Sequence, residues 1–182
     1  MINLIVQSGL GNQMFQYAFA RLLQELYAQE GKMEDIQIIN HFIDNYIEDA
    51  SEIRQLALNH LFLSPSTTTM ERCKQPKAMR QFKIRTILSS GVRECFKWRI
   101  LKRYENTDKL SHRRAKWGIY FPYGPYPYMN INLSNVKDKY IFGFFQHYQY
   151  ISPIASILKK ELLVKTPASS ANKILLSNIE KT

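Results

Sequence analysis

Residues Ile2-Asn3-Leu4-Ile5-Val6-Gln7-Ser8-Gly9-Leu10-Gly11-Asn12 decide the fold class of this chain. The first six are largely apolar and rich in β-branched side chains, and Ser8-Gly9 bounds them, so they read as a short buried strand. A helix comes after the turn. Its apolar positions, Met14, Phe15, Ala18, Leu22, Leu23 and Leu26, recur at three- and four-residue spacing. Asn12 is the expected N-cap, and Gly31 the expected stop. Ile36-Gln37-Ile38-Ile39 then reads as a second strand. Strand, glycine-containing turn, helix, strand opens a βαβ unit, and such units build parallel sheets. An α/β fold is the expectation.

Downstream the pattern is less regular. A short helix is expected around Ser51–Leu58, and Pro65-Ser66-Thr67-Thr68-Thr69 reads as a loop. Ile84, Ile87, Leu88, Val92, Cys95, Phe96 and Ile100 fall along one helical face, with Lys83, Arg85, Arg93, Lys97 and Arg99 around it. The run from Trp117 to Tyr128 is too rich in Pro and Gly for a helix and is expected to be an irregular loop. Lys139–Phe145 reads as another strand, and Pro153 suits the first turn of a helix carrying Ile154, Ile157, Leu158, Glu161 and Leu162. A last helical pattern holds Ile174, Leu175 and Ile179.

Of the 182 residues, 45% are hydrophobic and 13% aromatic, which supports a packed core and argues against disorder. No apolar run approaches the ~18–20 residues of a membrane-spanning helix, and the opening lacks the cationic lead of a signal peptide. Cys73 and Cys95 have no partner at metal-ligand spacing, so two free thiols in a cytoplasmic setting are expected. The formal charge of +10 is regional. Residues 72–116 hold fifteen Lys and Arg against three acids, while the rest of the chain carries ten basic and twelve acidic residues.

The turn Ser8-Gly9-Leu10-Gly11-Asn12-Gln13 lies where α/β folds place ligands, because helix N-terminal amides point outward there. It lacks the third small residue of a G-x-G-x-x-G dinucleotide fingerprint and the Lys-Ser/Thr pair of a phosphate loop.

Gly9-Leu10-Gly11-Asn12-Gln13-Met14-Phe15-Gln16-Tyr17-Ala18 closely resembles the N-terminal signature of the bacterial α-1,2-fucosyltransferases, glycosyltransferase family 11. A second segment, Gly143-Phe144-Phe145-Gln146-His147-Tyr148-Gln149-Tyr150, resembles that family's G-Y-F-Q-S-E-K-Y-F stretch. In the family a helix and a short F-x-[FL]-K-like stretch come next, and Leu162-Leu163-Val164-Lys165 is similar to the latter. A weaker echo runs from Glu48-Asp49-Ala50 through Leu56 to Leu61-Phe62. The resemblance implies two facing Rossmann-like domains, the GT-B arrangement. Residues 1–165 would form the N-terminal domain, with a basic helical and loop insertion at about 66–130. Residues 166–182 would begin the connection to a donor-binding domain, and the family's H-x-R-R-G-D-Y motif, whose arginines hold the donor diphosphate, has no counterpart here. The expectation is a truncated family member, inactive by itself.

The implied reaction is inverting transfer of L-fucose from GDP-fucose to the 2-hydroxyl of a terminal galactoside, without a metal. Gly9 and Gly11 would permit close approach of substrate, and Asn12 and Gln13 would place polar groups against donor or acceptor. Phe15, Tyr17 and Ala18 are expected in the core. Ser111-His112-Arg113-Arg114 mimics the arginine motif but lacks its spacing and its Gly-Asp, and is expected to be a solvated basic turn. His147, a lone histidine beside the second segment, is expected to be structural.

The basic segment 72–116 admits peripheral contact with an anionic membrane, a plain solvated helix face, or nucleic acid. The alternative to the enzyme is therefore a small basic α/β module that binds nucleic acid or phosphate. It would lose salt-dependent binding when Lys97, Arg99, Lys102 and Arg103 are neutralised.

Overall fold

The computed structural model describes residues 1–41, 56–96, 108–122, 128 and 130–165. Among them, five strands form one parallel sheet: β1 (Ile2–Ile5), β2 (Ile36–Ile39), β3 (Thr67–Thr69), β4 (Ile119–Tyr120) and β5 (Lys139–Phe142), in the order β3-β2-β1-β5-β4. The chain is an α/β protein. The last strand enters between β1 and β4, so this half of the sheet is reversed relative to the 3-2-1-4-5 order of the usual dinucleotide fold.

The helices are α1 (Leu10–Gln29), α2 (Gln75–Phe96), α3 (Asp108–Lys116), α4 (Tyr148–Ile151) and α5 (Ala155–Glu161). Alternation along the strands sends side chains to two cores. Ile2, Leu4, Ile36, Ile38 and Ile141 pack with Tyr17, Phe19, Leu23 and Tyr27 of α1 and with Tyr150 and Leu158. Ile5, Ile39, Ile119 and Tyr140 pack on the other face against Met79 and Phe82 of α2. Both faces are covered, which is why β1 and β2 read as continuous apolar runs.

Two long-range clamps, at Glu161 and Glu34, and one local helix stop fix α1 and the strand ends. Glu161 accepts from the Tyr17 hydroxyl at 2.6 Å and from Arg21 Nε at 3.0 Å, tying α5 to α1. Desolvation, and then the Glu161 hydrogen bond, push the Tyr17 hydroxyl well above the usual phenol range. At the start of the sheet, Glu34 pairs with both the N-terminal ammonium and the buried Lys139. Gly31, at φ 73°, ends α1: its N–H reaches the Ala28 carbonyl at 2.9 Å, and the Lys32 N–H reaches Tyr27 at 2.9 Å. This two-bond finish requires the left-handed conformation that glycine adopts without cost.

Several expectations need correction. The N-cap of α1 is Gly9, not Asn12; the helix begins at Leu10. The described residues between 66 and 130 supply β3, α2, α3 and β4 to the sheet and its cover. Thr67–Thr69, expected as loop, pairs with β2, because threonine's β-branched stem suits an edge strand. Ile119–Tyr120 makes a two-residue strand inside the expected irregular run. Ser111-His112-Arg113-Arg114 is helical, and Arg114 is 1% exposed, donating to Ser90 Oγ and the Phe121 carbonyl at 2.8 Å each. It is a structural arginine joining α2, α3 and the end of β4. The α2 face carrying Ile84, Ile87 and Leu88 is turned outward, while Ala78, Met79 and Phe82 face the sheet.

The Ser51–Leu58 helix lies mostly outside the described residues; Ala57–His60 forms a 3-10 turn with Leu58 buried. The last helical pattern, the connection 166–182, and Lys97, Arg99, Lys102 and Arg103 also lie outside them. Among the described residues, no helix is long and apolar enough to cross a membrane.

Candidate functional site

β1 and β5 are neighbours at the centre of the sheet, in register from Ile2↔Lys139 to Ile5↔Phe142. The chain leaves β1 toward β2 on one side, whereas β5 lies on the other. Both strands lead into helices on the same face of the sheet, α1 after β1 and α4 with α5 after β5, so the turns beyond their carboxyl ends lie side by side, at the end of the strands where parallel α/β folds hold ligands. The residues after β1 are Val6–Gln13, and those after β5 are Gly143–Tyr150. The turn Gly9–Gln13 and the segment Gly143–Tyr150 therefore emerge side by side.

Helix α1 itself secures the turn after β1. Gln13 and Gln16 are both fully buried. Gln13 Nε2 donates to the Ser8 carbonyl at 2.8 Å, and its Oε1 accepts from the Ala57 N–H at 3.0 Å. Gln16 Oε1 accepts from the Gln7 N–H at 3.1 Å and its amide nitrogen reaches back to the Gln7 carbonyl at 3.4 Å. These bonds satisfy loop backbone groups that burial would otherwise leave unpaired. They also hold Ser8 at φ 67°, a left-handed conformation uncommon for serine and typical of functional loops.

Gly9, Leu10 and Gly11 are exposed, and Asn12 is half-buried. The first turn of α1 has neither a side-chain cap nor an acidic residue. Its leading N–H groups, with the positive end of the helix dipole behind them, suit a hydroxyl or anionic ligand. Gly9 has an ordinary φ of −73°. A Cβ added at Gly9 or Gly11 would meet nothing within 4 Å. Neither backbone strain nor internal packing demands these glycines.

After β5, Gly143 adopts φ 126°, and a Cβ there would press on the Pro122 ring at 3.2 Å, so the position requires glycine. The chain then alternates. Phe145 turns inward to stack on Phe19 with centroids 3.9 Å apart, while Phe144 stays exposed. The Gln146 side-chain amide donates to Asn12 Oδ1, which joins the two segments beyond the ends of β1 and β5. His147 Nδ1 accepts from the Gln149 N–H at 3.4 Å and so caps α4, and its ring lies against Tyr128 and Tyr148. Phe144, Tyr128 and Tyr148 expose aromatic faces around this second segment.

Of the expected site residues, Gly9, Gly11 and Asn12 reach the surface together. Gln13 does not. Its amide is spent on the Ser8 carbonyl and the Ala57 N–H, which corrects the expectation that both side-chain amides line the cleft. Tyr17 and Ala18 lie in the core, while half-buried Phe15 lines an apolar groove of about 580 Å³ between α1 and α5, with Gly11, Met14, Ala18, Ile151 and Leu158. Gln146 carries no distinguishing signal in the sequence beyond its place in the second segment, and only its contact with Asn12 reveals a role. Gln16 is a further residue that sequence reasoning missed. Its signal is its place one turn after Gln13 on the same helical face.

The fold and these turns define a parallel α/β protein with a polar turn after β1 hydrogen-bonded to the segment after the neighbouring β5. Searches of family models, of curated proteins and of solved structures found no match to the chain.

Proposed function

We propose that this chain forms one wall of a sugar-nucleotide crevice and serves in transfer of L-fucose from GDP-fucose to the 2-hydroxyl of a terminal galactoside, the reaction of the α-1,2-fucosyltransferases it resembles. On this reading the sheet is the Rossmann-like N-terminal domain of a GT-B enzyme. One observation carries the proposal: the two resembling segments, 134 residues apart at Asn12 and Gln146, meet through a hydrogen bond beyond the ends of the adjacent central strands. Two motifs that converge on one crevice are more informative than either alone.

In an inverting transfer, the acceptor oxygen bonds to the fucose anomeric carbon as the bond to the phosphate oxygen breaks. The hydroxyl proton passes to a base and the electron pair leaves with GDP. The residues here suit positioning. The Asn12 amide and the leading N–H groups of α1 would hold sugar hydroxyls or the departing phosphate, and Gly9 and Gly11 would leave room for the ring. On this reading the residues described contribute binding and orientation.

The test is an amide-resolved NMR titration with GDP-fucose and with lactose. The expected result is perturbation centred on Gly9, Gly11, Asn12 and Gly143–His147. Perturbation confined to other surfaces, or none with either ligand, would reject the proposal.

A second reading, anion binding without catalysis, has its own support. A cavity of about 570 Å³ between α2 and the sheet is lined by Lys74, Lys77 and Arg85, with Asn3, Gln37 and Asp138. Inorganic phosphate that shifted these residues and left the crevice unmoved would favour it.

A further inference from the structure

The outward face of α2 carries three large apolar side chains. Ile84, Ile87 and Leu88 are 41%, 60% and 55% exposed, although the helix buries Ala78, Met79 and Phe82 against the sheet. At 100° per residue, positions 84, 87 and 88 lie on one face, as i, i+3 and i+4 neighbours do. Arg80 stands one turn before Ile84, and Lys83 one turn before Ile87, and both are exposed. From Gln75 to Ser90 the helix carries Lys77, Arg80, Lys83 and Arg85 and no acidic residue. Soluble proteins expose single apolar residues routinely, but a contiguous set on one helical face marks an interaction surface.

We propose that this face docks on an anionic lipid surface, the three apolar side chains entering the headgroup boundary while Arg80 and Lys83 meet lipid phosphates. Charge decides the partner. A second copy of the chain would bring the same cations into mutual repulsion, whereas an anionic bilayer meets cation and apolar surface together. Nucleic acid would satisfy the cations but leave Ile87 and Leu88 without a role. The inference is independent of the fucosyl-transfer reading, because α2 covers the sheet away from the crevice residues.

The experiment is co-sedimentation of the full chain with vesicles of phosphatidylglycerol and phosphatidylcholine in equal parts, against vesicles of phosphatidylcholine alone. Binding to the anionic vesicles and not to the neutral ones is expected. Arg80→Gln with Lys83→Gln should weaken it by about thirtyfold, from roughly 1 kcal/mol per cation near the surface. Ile87→Ser with Leu88→Ser should weaken it by about tenfold or more at unchanged charge, with no loss of thermal stability because both sites are exposed. The proposal would be overturned by no sedimentation with anionic vesicles, by full binding of the Ile87→Ser/Leu88→Ser variant, or by a dimer that this variant converts to monomer. Binding of single-stranded RNA with vesicles ignored would overturn it equally.

Discussion

Gln146 donates its side-chain amide to the carboxamide oxygen of Asn12, and this bond joins the segment after β5 to the first turn of α1. The same two strands pair along their whole length, so the bond extends a backbone contact already fixed by the sheet. It orients Asn12 without depending on any ligand.

The bond should be measurable as coupling between the two residues. Asn12→Ala and Gln146→Ala, singly and together, are expected to show an interaction of about 1 kcal/mol in urea unfolding, the usual net value of a part-buried hydrogen bond. Additive single effects would show that the two side chains are independent.

Gly11 separates folding from function. A methyl group there meets nothing within 4 Å. Gly11→Ala should leave stability unchanged or raise it by about 0.5–1 kcal/mol, since alanine is the better helix former. If a ligand approaches this backbone, the same change should weaken its binding. A Gly11→Ala protein that unfolds early in denaturant would refute the geometric part.

Gln13 belongs to the scaffold. Gln13→Leu keeps the volume but strips the Ser8 carbonyl and the Ala57 N–H of their partner. A loss of about 2–4 kcal/mol is expected in chemical denaturation, from two backbone groups left unpaired at part-buried positions. A near-neutral result would mean that water reaches both groups and that the turn is looser than described.

Acid should weaken the start of the sheet. Desolvation by itself would raise the Glu34 carboxyl, but hydrogen bonds from Lys139 and the N-terminal ammonium outweigh it and hold the carboxyl below the ordinary value of 4.5. A carboxyl lowered on folding stabilises above its unfolded pKa, and that stability disappears as pH falls through the folded value. Stability should therefore be level from neutral pH to about 5 and drop below that. Glu34→Gln should remove part of the drop and, by leaving Lys139 buried without its anion, cost about 3 kcal/mol at pH 7. A variant with the wild-type acid profile would show that Glu34 is not the group responsible.

The sequence disclosed β1, α1 and β2 because β1 and β2 are contiguous β-branched apolar runs and α1 has a clear helical period, with Gly9 and Gly31 bounding the helix. Thr67–Thr69 escaped notice since a Ser/Thr run after proline carries a loop's composition and a strand's sterics at once. Arg114 misled because a basic run is usually solvated, and only three-dimensional proximity supplies Ser90 and the Phe121 carbonyl as partners. On α2 the rule that large apolar residues go inside failed at Ile84, Ile87 and Leu88, whose opposite face already fills the space above the sheet with Ala78, Met79 and Phe82. At the turn after β1, sequence could not separate Asn12 from Gln13. One residue of helical rotation sends one amide toward the surface and the other into the core.

The central proposal, a fucosyl-transfer crevice at the ends of β1 and β5, is most directly tested by saturation-transfer NMR with GDP-fucose and a β-galactoside on the wild-type chain and on Asn12→Ala. Transfer to the sugar protons of at least one ligand, largely abolished by Asn12→Ala in a folded protein, is the expected result. No transfer to either ligand, or transfer undiminished by the substitution, would contradict it.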